Sequence, residues 1–280
     1  MAGSSVAVSR GGRRALTLYF ACFLAFLYVP LALMFGISFG RNFSGLPWTG
    51  FTLDWYREAY SPNDLSAQSS IWRAIFNSVW IGLIVATVDT TLALLFAYGM
   101  ARGQRVIARP AILALCVAPL AAPPAAYGAA VLVLARRGPF TTDFGLHLVV
   151  LAHTILFLPI AILFLLPRVA AIGGEIRETA EDLSARNRQT LRKVVIPMVR
   201  PALVAAFMTT FLFSFNEPVV AGWLVDRQIT YPVYLFSVGR GSAGGPLVSA
   251  VATAGYAVVV VAIVVLQLGA RRTNRQGAPT

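Results

Sequence analysis

Apolar residues run along this chain in long blocks separated by short, charged stretches. Six blocks stand out, over 15–39, 72–100, 107–135, 146–167, 198–225 and 247–269. About 20 consecutive apolar residues are enough to carry a helix across roughly 30 Å of hydrocarbon. Each block is long enough, and the pattern predicts an all-α integral membrane protein with six transmembrane helices. The divisions expected are a tail over 1–14, a membrane domain over 15–270 and a second tail over 271–280. Arg10, Arg13 and Arg14 before the first block resemble the basic start of a secretory signal. The block that follows is longer than a signal core and lacks a small-residue cleavage pattern, so it is expected to be a retained helix. Between the first two blocks, Trp48, Trp55, Tyr56 and Tyr60 are interleaved with charges, which suits an interfacial loop or short surface helix.

Composition agrees with the pattern. The 280 residues are 58% hydrophobic and 12% charged, with a mean hydropathy of +0.72. A net charge of +12 suggests nucleic acid at first sight. The basic residues sit in clusters between apolar blocks rather than along one face, so a lipid bilayer is the expected partner and nucleic acid is not. Counted by loop parity, 16 of the 23 Lys and Arg residues fall on the side holding both termini. Cytoplasmic loops carry the positive excess, which predicts cytoplasmic N and C termini. Cys22 and Cys116 both lie inside apolar blocks and read as buried small hydrophobes, with no disulfide framework or metal cluster around them.

The third block contains Pro119, Pro123 and Pro124. Proline inside a helix removes a backbone donor and clashes with the preceding turn, so this helix should be broken or kinked. The freed carbonyls are tolerated in a membrane where they are buried in protein or line a wet cavity. A pathway-lining break and a simple packing kink are both open from the residues alone; Pro159 in the fourth block fits a packing kink better. Among acids, only Asp89 and Glu217 fall inside apolar blocks, and an intramembrane ionisable residue is a functional candidate. Asn77, Pro123 and Asn216 join them as candidate pathway residues. His153 fits a bond to a neighbouring helix, and His147 an interfacial position.

The longest charged segment, 173–197, is ordered: Glu175, Glu178, Glu181 and Asp182 come first, then Arg186, Arg188, Arg192 and Lys193. Acid at a helix start and base at its end both complement the macrodipole, and Asp182 with Arg186 forms an i,i+4 pair. One or two short helices at the membrane surface are expected. Their apolar positions, Ile176, Ala180 and Leu183, then Leu191, Val194 and Val195, recur at helical spacing.

This segment resembles the EAA loop of the permeases of binding-protein-dependent ABC importers. Glu178, Thr179 and Ala180 stand at the Glu-Ala-Ala positions, Asp182 and Leu183 match the common Asp-Leu, Ala185 follows, and Val194, Ile196 and Pro197 close the motif. Ser184 replaces the usual Gly, which permits a turn at positive φ; serine instead offers a cap to the next helix. Further matches point to the spermidine/putrescine branch. Leu151-Ala-His153-Thr is similar to its Ala-His-Thr segment, and Ser214-Phe-Asn216-Glu217 to its Ser-Phe-Asp-Glu, with Asn for Asp. Thr230-Tyr-Pro-Val233 is similar to its Thr-Leu-Pro-Val, and 51–60 to its aromatic periplasmic loop.

The resemblance implies a type I ABC importer permease fold in the bacterial inner membrane. Its coupling residues would be Glu178, Thr179, Ala180, Asp182, Leu183, Ser184, Ala185, Val194, Ile196 and Pro197. They would dock on a dimer of separate ATPase subunits that bind ATP and Mg. A second permease subunit, in this branch usually a different chain, and a periplasmic solute-binding protein complete the implied assembly. The chain itself is expected to be neither an enzyme nor the holder of a cofactor or metal. Its only lysine, Lys193, follows Arg192 and cannot form a phosphate-binding Gly-Lys-Ser/Thr loop. The implied cargo is a polyamine such as putrescine or spermidine; ferric iron, thiamine, phosphonate and opine permeases are relatives of the same family. An ion-coupled secondary transporter would lean on internal repeats, of which none is evident, and leave the EAA-like loop without a role. A membrane enzyme would need a clustered catalytic set that two separated histidines do not supply. Cysteines placed in the tails should be labelled by a membrane-impermeant thiol reagent only after the membrane is opened; labelling of either tail in sealed cells contradicts the orientation.

Overall fold

The computed structural model describes residues 10–42, 48–60, 71–102, 109–138, 143, 145–172, 187–226, 228–240 and 245–257. Among them the regular structure is helical, apart from one isolated bridge between Gly40 and Phe51. Helices α1 (Arg10–Ile37), α3 (Ile71–Arg102), α6 (Leu146–Ala170) and α7 (Asn187–Phe215) each contain a stretch long and apolar enough to span a membrane. The third apolar block forms α4 (Arg109–Val117) and α5 (Pro124–Arg137), bent by 99° across a short break; counted as one span, they make five. The sixth block is helical over 245–257, here α10, and its remainder lies outside the described residues. Shorter helices are α2 (Asp54–Ala59), α8 (Val219–Leu224) and α9 (Tyr231–Arg240).

The chain divides into two compact units, with the boundary inside α9. The unit formed by 1–61 and 237–280 contains α1, on which no side chain from Gly11 to Ile37 is buried. A run of apolar residues this long with none buried is what a lipid-facing helix looks like. The aromatic segment after α1 folds on itself. Phe39 stacks on Phe51 and meets Tyr56 and Phe35, Ser38 hydrogen-bonds Tyr56 (2.8 Å), and Trp55 Nε1 donates to the Gly40 carbonyl (2.8 Å). The short surface helix expected there is α2.

The unit formed by 62–236 is built around α3, α6 and α7, each packed against the other two. On α3 the buried positions include Ile71, Ala74, Ser78, Ile81, Val85, Asp89, Ala93 and Ala97, a stripe recurring every three or four residues. Trp72, Phe76, Trp80, Leu83, Leu92 and Leu95 stay exposed beside it, so this helix is apolar all round and needs lipid on its outer side. Where helices meet, the side chains are small: Ala86, Ala93, Ala97, Ala152, Ala161 and Ala206 are fully buried. Small residues bring backbones close enough for dispersion to hold helices together when lipid removes the hydrophobic drive. A Cβ on Gly82 would lie 2.9 Å from the Phe211 ring, and one on Gly128 2.8 Å from Trp223 and 3.2 Å from the Val220 backbone.

Prolines act differently according to position. Helix α6 continues through Pro159 and Pro167 without a break. In α7 the helix widens before Pro197: the Ile196 N–H bonds the Leu191 carbonyl, five residues back, forming a π turn over Leu191–Val195. The wider turn accommodates the missing N–H and the ring of Pro197. Changing Gly128 to Val should lower the melting temperature of the purified protein by roughly 5 °C, the scale of a 1–3 kcal/mol overpacking cost. An unchanged melting temperature would mean that α5 and Trp223 of α8 do not meet this closely.

Candidate functional site

The break in the third block follows from its prolines. After α4 a 3₁₀ turn covers Ala118–Ala121, and the chain then extends, with ψ of 133° at Ala122 and 130° at Pro123. Both of these residues precede a proline, which disfavours the helical region and selects extended backbone. Pro124 then starts α5 at the one helical position where a missing N–H costs nothing.

A second break interrupts the fifth block. Helix α7 ends at Phe215, the chain passes through Asn216, Glu217 and Pro218, and α8 starts at Val219. Asn216 Nδ2 donates to the Leu212 carbonyl (3.1 Å), which closes the end of α7. The Glu217 carboxylate closes the start of α8: Oε1 accepts the Val219 N–H (3.0 Å), and Oε2 those of Val220 (2.7 Å) and Ala221 (3.1 Å). Three N–H groups that a helix start leaves without partners are thereby satisfied by one negative group at the positive end of the dipole.

The two breaks border one cavity of about 550 Å³. Leu120, Ala122 and Pro124 come from the first break, Asn216, Glu217 and Pro218 from the second, and Leu156, Phe157, Ile160, Leu212 and Phe213 complete the wall. The size falls within the roughly 300–1,000 Å³ typical of small-molecule pockets, and an apolar wall with a few polar groups is their usual character. Behind Glu217 lies His153 of α6, 1% exposed, with Nδ1 2.9 Å from Ser214 Oγ and Nε2 3.7 Å from Glu217 Oε2. The Phe157 ring meets the imidazole edge to face. The Ala-His-Thr and Ser-Phe-Asn-Glu segments, 61 residues apart in sequence between His153 and Ser214, thus form one polar cluster.

The remaining candidates are distributed elsewhere. Pro123 is the helix-breaking residue between two cavity-lining neighbours. Asp89 sits on the buried stripe of α3, fully buried with neither carboxylate oxygen hydrogen-bonded, and is not among the cavity residues. Asn77 donates to the Ile229 carbonyl (2.9 Å), and next to it Ser78 Oγ accepts the Tyr231 N–H (2.8 Å), tying α3 to the start of α9. Of the coupling residues, Val194 lies in the π turn near the start of α7, and Ile196 and Pro197 directly follow it. Glu178, Thr179, Ala180, Asp182, Leu183, Ser184 and Ala185 lie outside the described residues. The cluster around His153 was missed from sequence as a unit; its signal was a histidine and a Ser/Glu pair inside two otherwise apolar blocks.

No protein-family profile matches the chain. Among curated proteins it is 28% identical over 252 residues to the spermidine/putrescine transport system permease protein PotC of Haemophilus influenzae, covering 89% of this chain and 94% of that protein. It is also 28% identical over 191 residues to the putative ferric transport system permease protein FbpB 1 of the same organism, covering 61% of this chain and 30% of that one. Among solved structures it shares its fold with a bacterial ABC transporter involved in the import of the acidic polysaccharide alginate. That match has a TM-score of 0.70 and 15% identity, covering 94% of this chain and 99% of that chain. The chain is thus a multi-helix protein with several spans apolar enough to cross a membrane, similar in fold to a chain of an ABC transporter and in sequence to permeases of the spermidine/putrescine group.

Proposed function

We propose that the chain forms part of the translocation pathway for a small cationic solute, with polyamines such as putrescine or spermidine the preferred class, and that the cavity between the two helix breaks is on that pathway. The single observation carrying this reading is the meeting of both breaks at one cavity with Glu217 in its wall. An ammonium group leaving water needs acceptor oxygens. Each carboxylate oxygen can accept about two hydrogen bonds. Glu217 Oε1 accepts one, so it retains capacity for a solute. Asn216 Oδ1 is a second acceptor on an exposed side chain. The aliphatic part of a diamine would lie against Leu120, Leu156, Ile160 and Leu212. The similarity to PotC supports the polyamine class.

The similarity to FbpB 1 favours ferric iron as the second reading. A hard trivalent ion seeks several oxygen ligands. Among the described residues no three His, Cys, Asp or Glu side chains stand together to supply them, which supports the organic cation.

In this reading the chain sits in the bacterial inner membrane with both termini cytoplasmic. It pairs with a second permease subunit, receives solute from a periplasmic binding protein, and docks its Glu178 loop on a dimer of ATPase subunits that hold ATP and Mg. Motion of that loop would enter the membrane through the π turn at Leu191–Val195 and α7, the helix that ends at Phe215 beside Asn216. Pathway and drive are therefore on one element. With the neighbouring transporter subunits co-expressed, wild-type protein should retain an ATPase subunit on purification, and Glu178→Arg should lose it or lose stimulation by binding protein. Transport by this chain alone, or wild-type behaviour of the variant, would overturn the coupling assignment. Glu217→Ala should reduce putrescine uptake at least tenfold, about 1.4 kcal/mol, because it removes both a cavity acceptor and the cap of α8; unchanged uptake would remove the cavity from the pathway.

A further inference from the structure

We propose that His153 is a positioning residue: held by Ser214 as the Nε2–H tautomer, it fixes the Glu217 carboxylate against the start of α8 and so keeps Oε1 available to the cavity. The proposal rests on the reading of Glu217 as a cavity ligand. A neutral imidazole carries one N–H and one lone pair, and the bond made by one nitrogen decides the role of the other. Serine can donate or accept. If Nδ1 carried the hydrogen, the Nε2 lone pair would point at a carboxylate oxygen 3.7 Å away inside a buried cluster, two acceptors facing each other. With Ser214 donating to Nδ1 across 2.9 Å, Nε2 carries the hydrogen and faces Glu217 Oε2 with the matching sign.

The geometry gives this contact a direction. Oε2 already receives two backbone N–H groups, and the imidazole stands on the same oxygen; Oε1 receives one. His153 itself does not line the cavity, whereas Glu217 does. The imidazole is held by its own neighbours, with Phe157 against the ring and Ser214 4% exposed. A side chain so fixed, with Nε2 3.7 Å from the functional group, beyond hydrogen-bond length, and away from the solute space, is placed to orient rather than to bind. Such support from behind is how a binding group keeps its geometry when the chain around it moves.

Two readouts test the proposal. The chain contains two histidines, His147 and His153. Full-length protein with His147→Gln and ¹⁵N-labelled histidine, in lipid nanodiscs, therefore gives one imidazole to observe. The expected spectrum is the Nε2–H tautomer, with the Nε2 resonance displaced by Glu217→Gln and a mixture of tautomers in Ser214→Ala. An Nδ1–H tautomer, or an Nε2 resonance indifferent to Glu217→Gln, overturns the proposal. The second readout is uptake of radiolabelled putrescine by cells carrying the whole transporter. His153→Gln, which keeps a donor near the Nε2 position, should approach wild type. His153→Asn, which keeps only the Ser214 side, should raise the half-saturating concentration severalfold with the maximal rate largely retained. Equal behaviour of the two variants, where Glu217→Gln impairs uptake, overturns positioning and leaves the pathway reading standing. Wild-type uptake by Glu217→Gln removes the pathway reading, and the resonance shift then still decides whether His153 contacts the carboxylate. If neither His153 variant reaches the membrane, Ser214→Ala should show the same rise in half-saturation and Ser214→Thr should reverse it; wild-type uptake by Ser214→Ala overturns the proposal.

Discussion

Every backbone N–H and C=O that enters hydrocarbon has to be satisfied by the protein itself, because lipid offers no partners. A chain of unbroken helices meets that demand trivially and leaves no room between its rods for a polar solute. Among the described residues the chain departs from it at two places, and each departure is met by local bonds. At Ala118–Pro124 proline itself removes the donors, and a 3₁₀ turn followed by two extended pre-proline residues re-aims the chain. At Asn216–Pro218 the side chains of the break do the work, Asn216 on the end of α7 and Glu217 on the start of α8. Interrupted helices of this kind border a cavity while side chains and local turns satisfy backbone groups at the breaks.

Close packing keeps the two breaks together. Helices α3, α6 and α7 meet through alanines and Gly82, and α5 meets α8 through Gly128 and the Trp223 ring. Polar ties then fix the ends. The Tyr127 hydroxyl of α5 donates to the Ala152 carbonyl of α6 (2.9 Å), one residue before His153, and the Gly145 N–H at the start of α6 donates to the Leu224 carbonyl at the end of α8 (3.1 Å). The broken segments are thus bonded to the same continuous helix, α6, which supplies both the cavity wall at Leu156, Phe157 and Ile160 and the imidazole behind Glu217.

Much of this was legible in the sequence. Apolar block length pointed to the long helices over 71–102 and 146–170, since the hydrocarbon thickness sets a length that composition must match. Three prolines in one block announced the break there, and Glu217 stood out as an intramembrane acid, because both carry a physical cost inside a membrane. What the sequence did not reveal was convergence. Nothing in the spacing of Pro123 and Glu217 says that their neighbours share a wall, and nothing local distinguishes Glu217, which reaches the cavity, from Asp89, which lies on the buried stripe of α3. That difference is decided by which face of each helix meets its neighbours. Helix α7 likewise starts well before the apolar block, because 187–197 is polar on its surface yet continues the helix through a π turn.

Accessibility of the cavity wall tests the central claim most directly. With Cys22 and Cys116 replaced, single cysteines at Leu120 and Leu212, one near each break, and at the exposed Leu151 of α6 would be exposed to a small water-soluble thiol reagent in the assembled transporter. The account predicts that positions 120 and 212 are labelled, that putrescine slows both, and that position 151, outside the cavity, is not slowed by putrescine. Protection by putrescine at 151 equal to that at 120 and 212, or no protection at either cavity position, would contradict it.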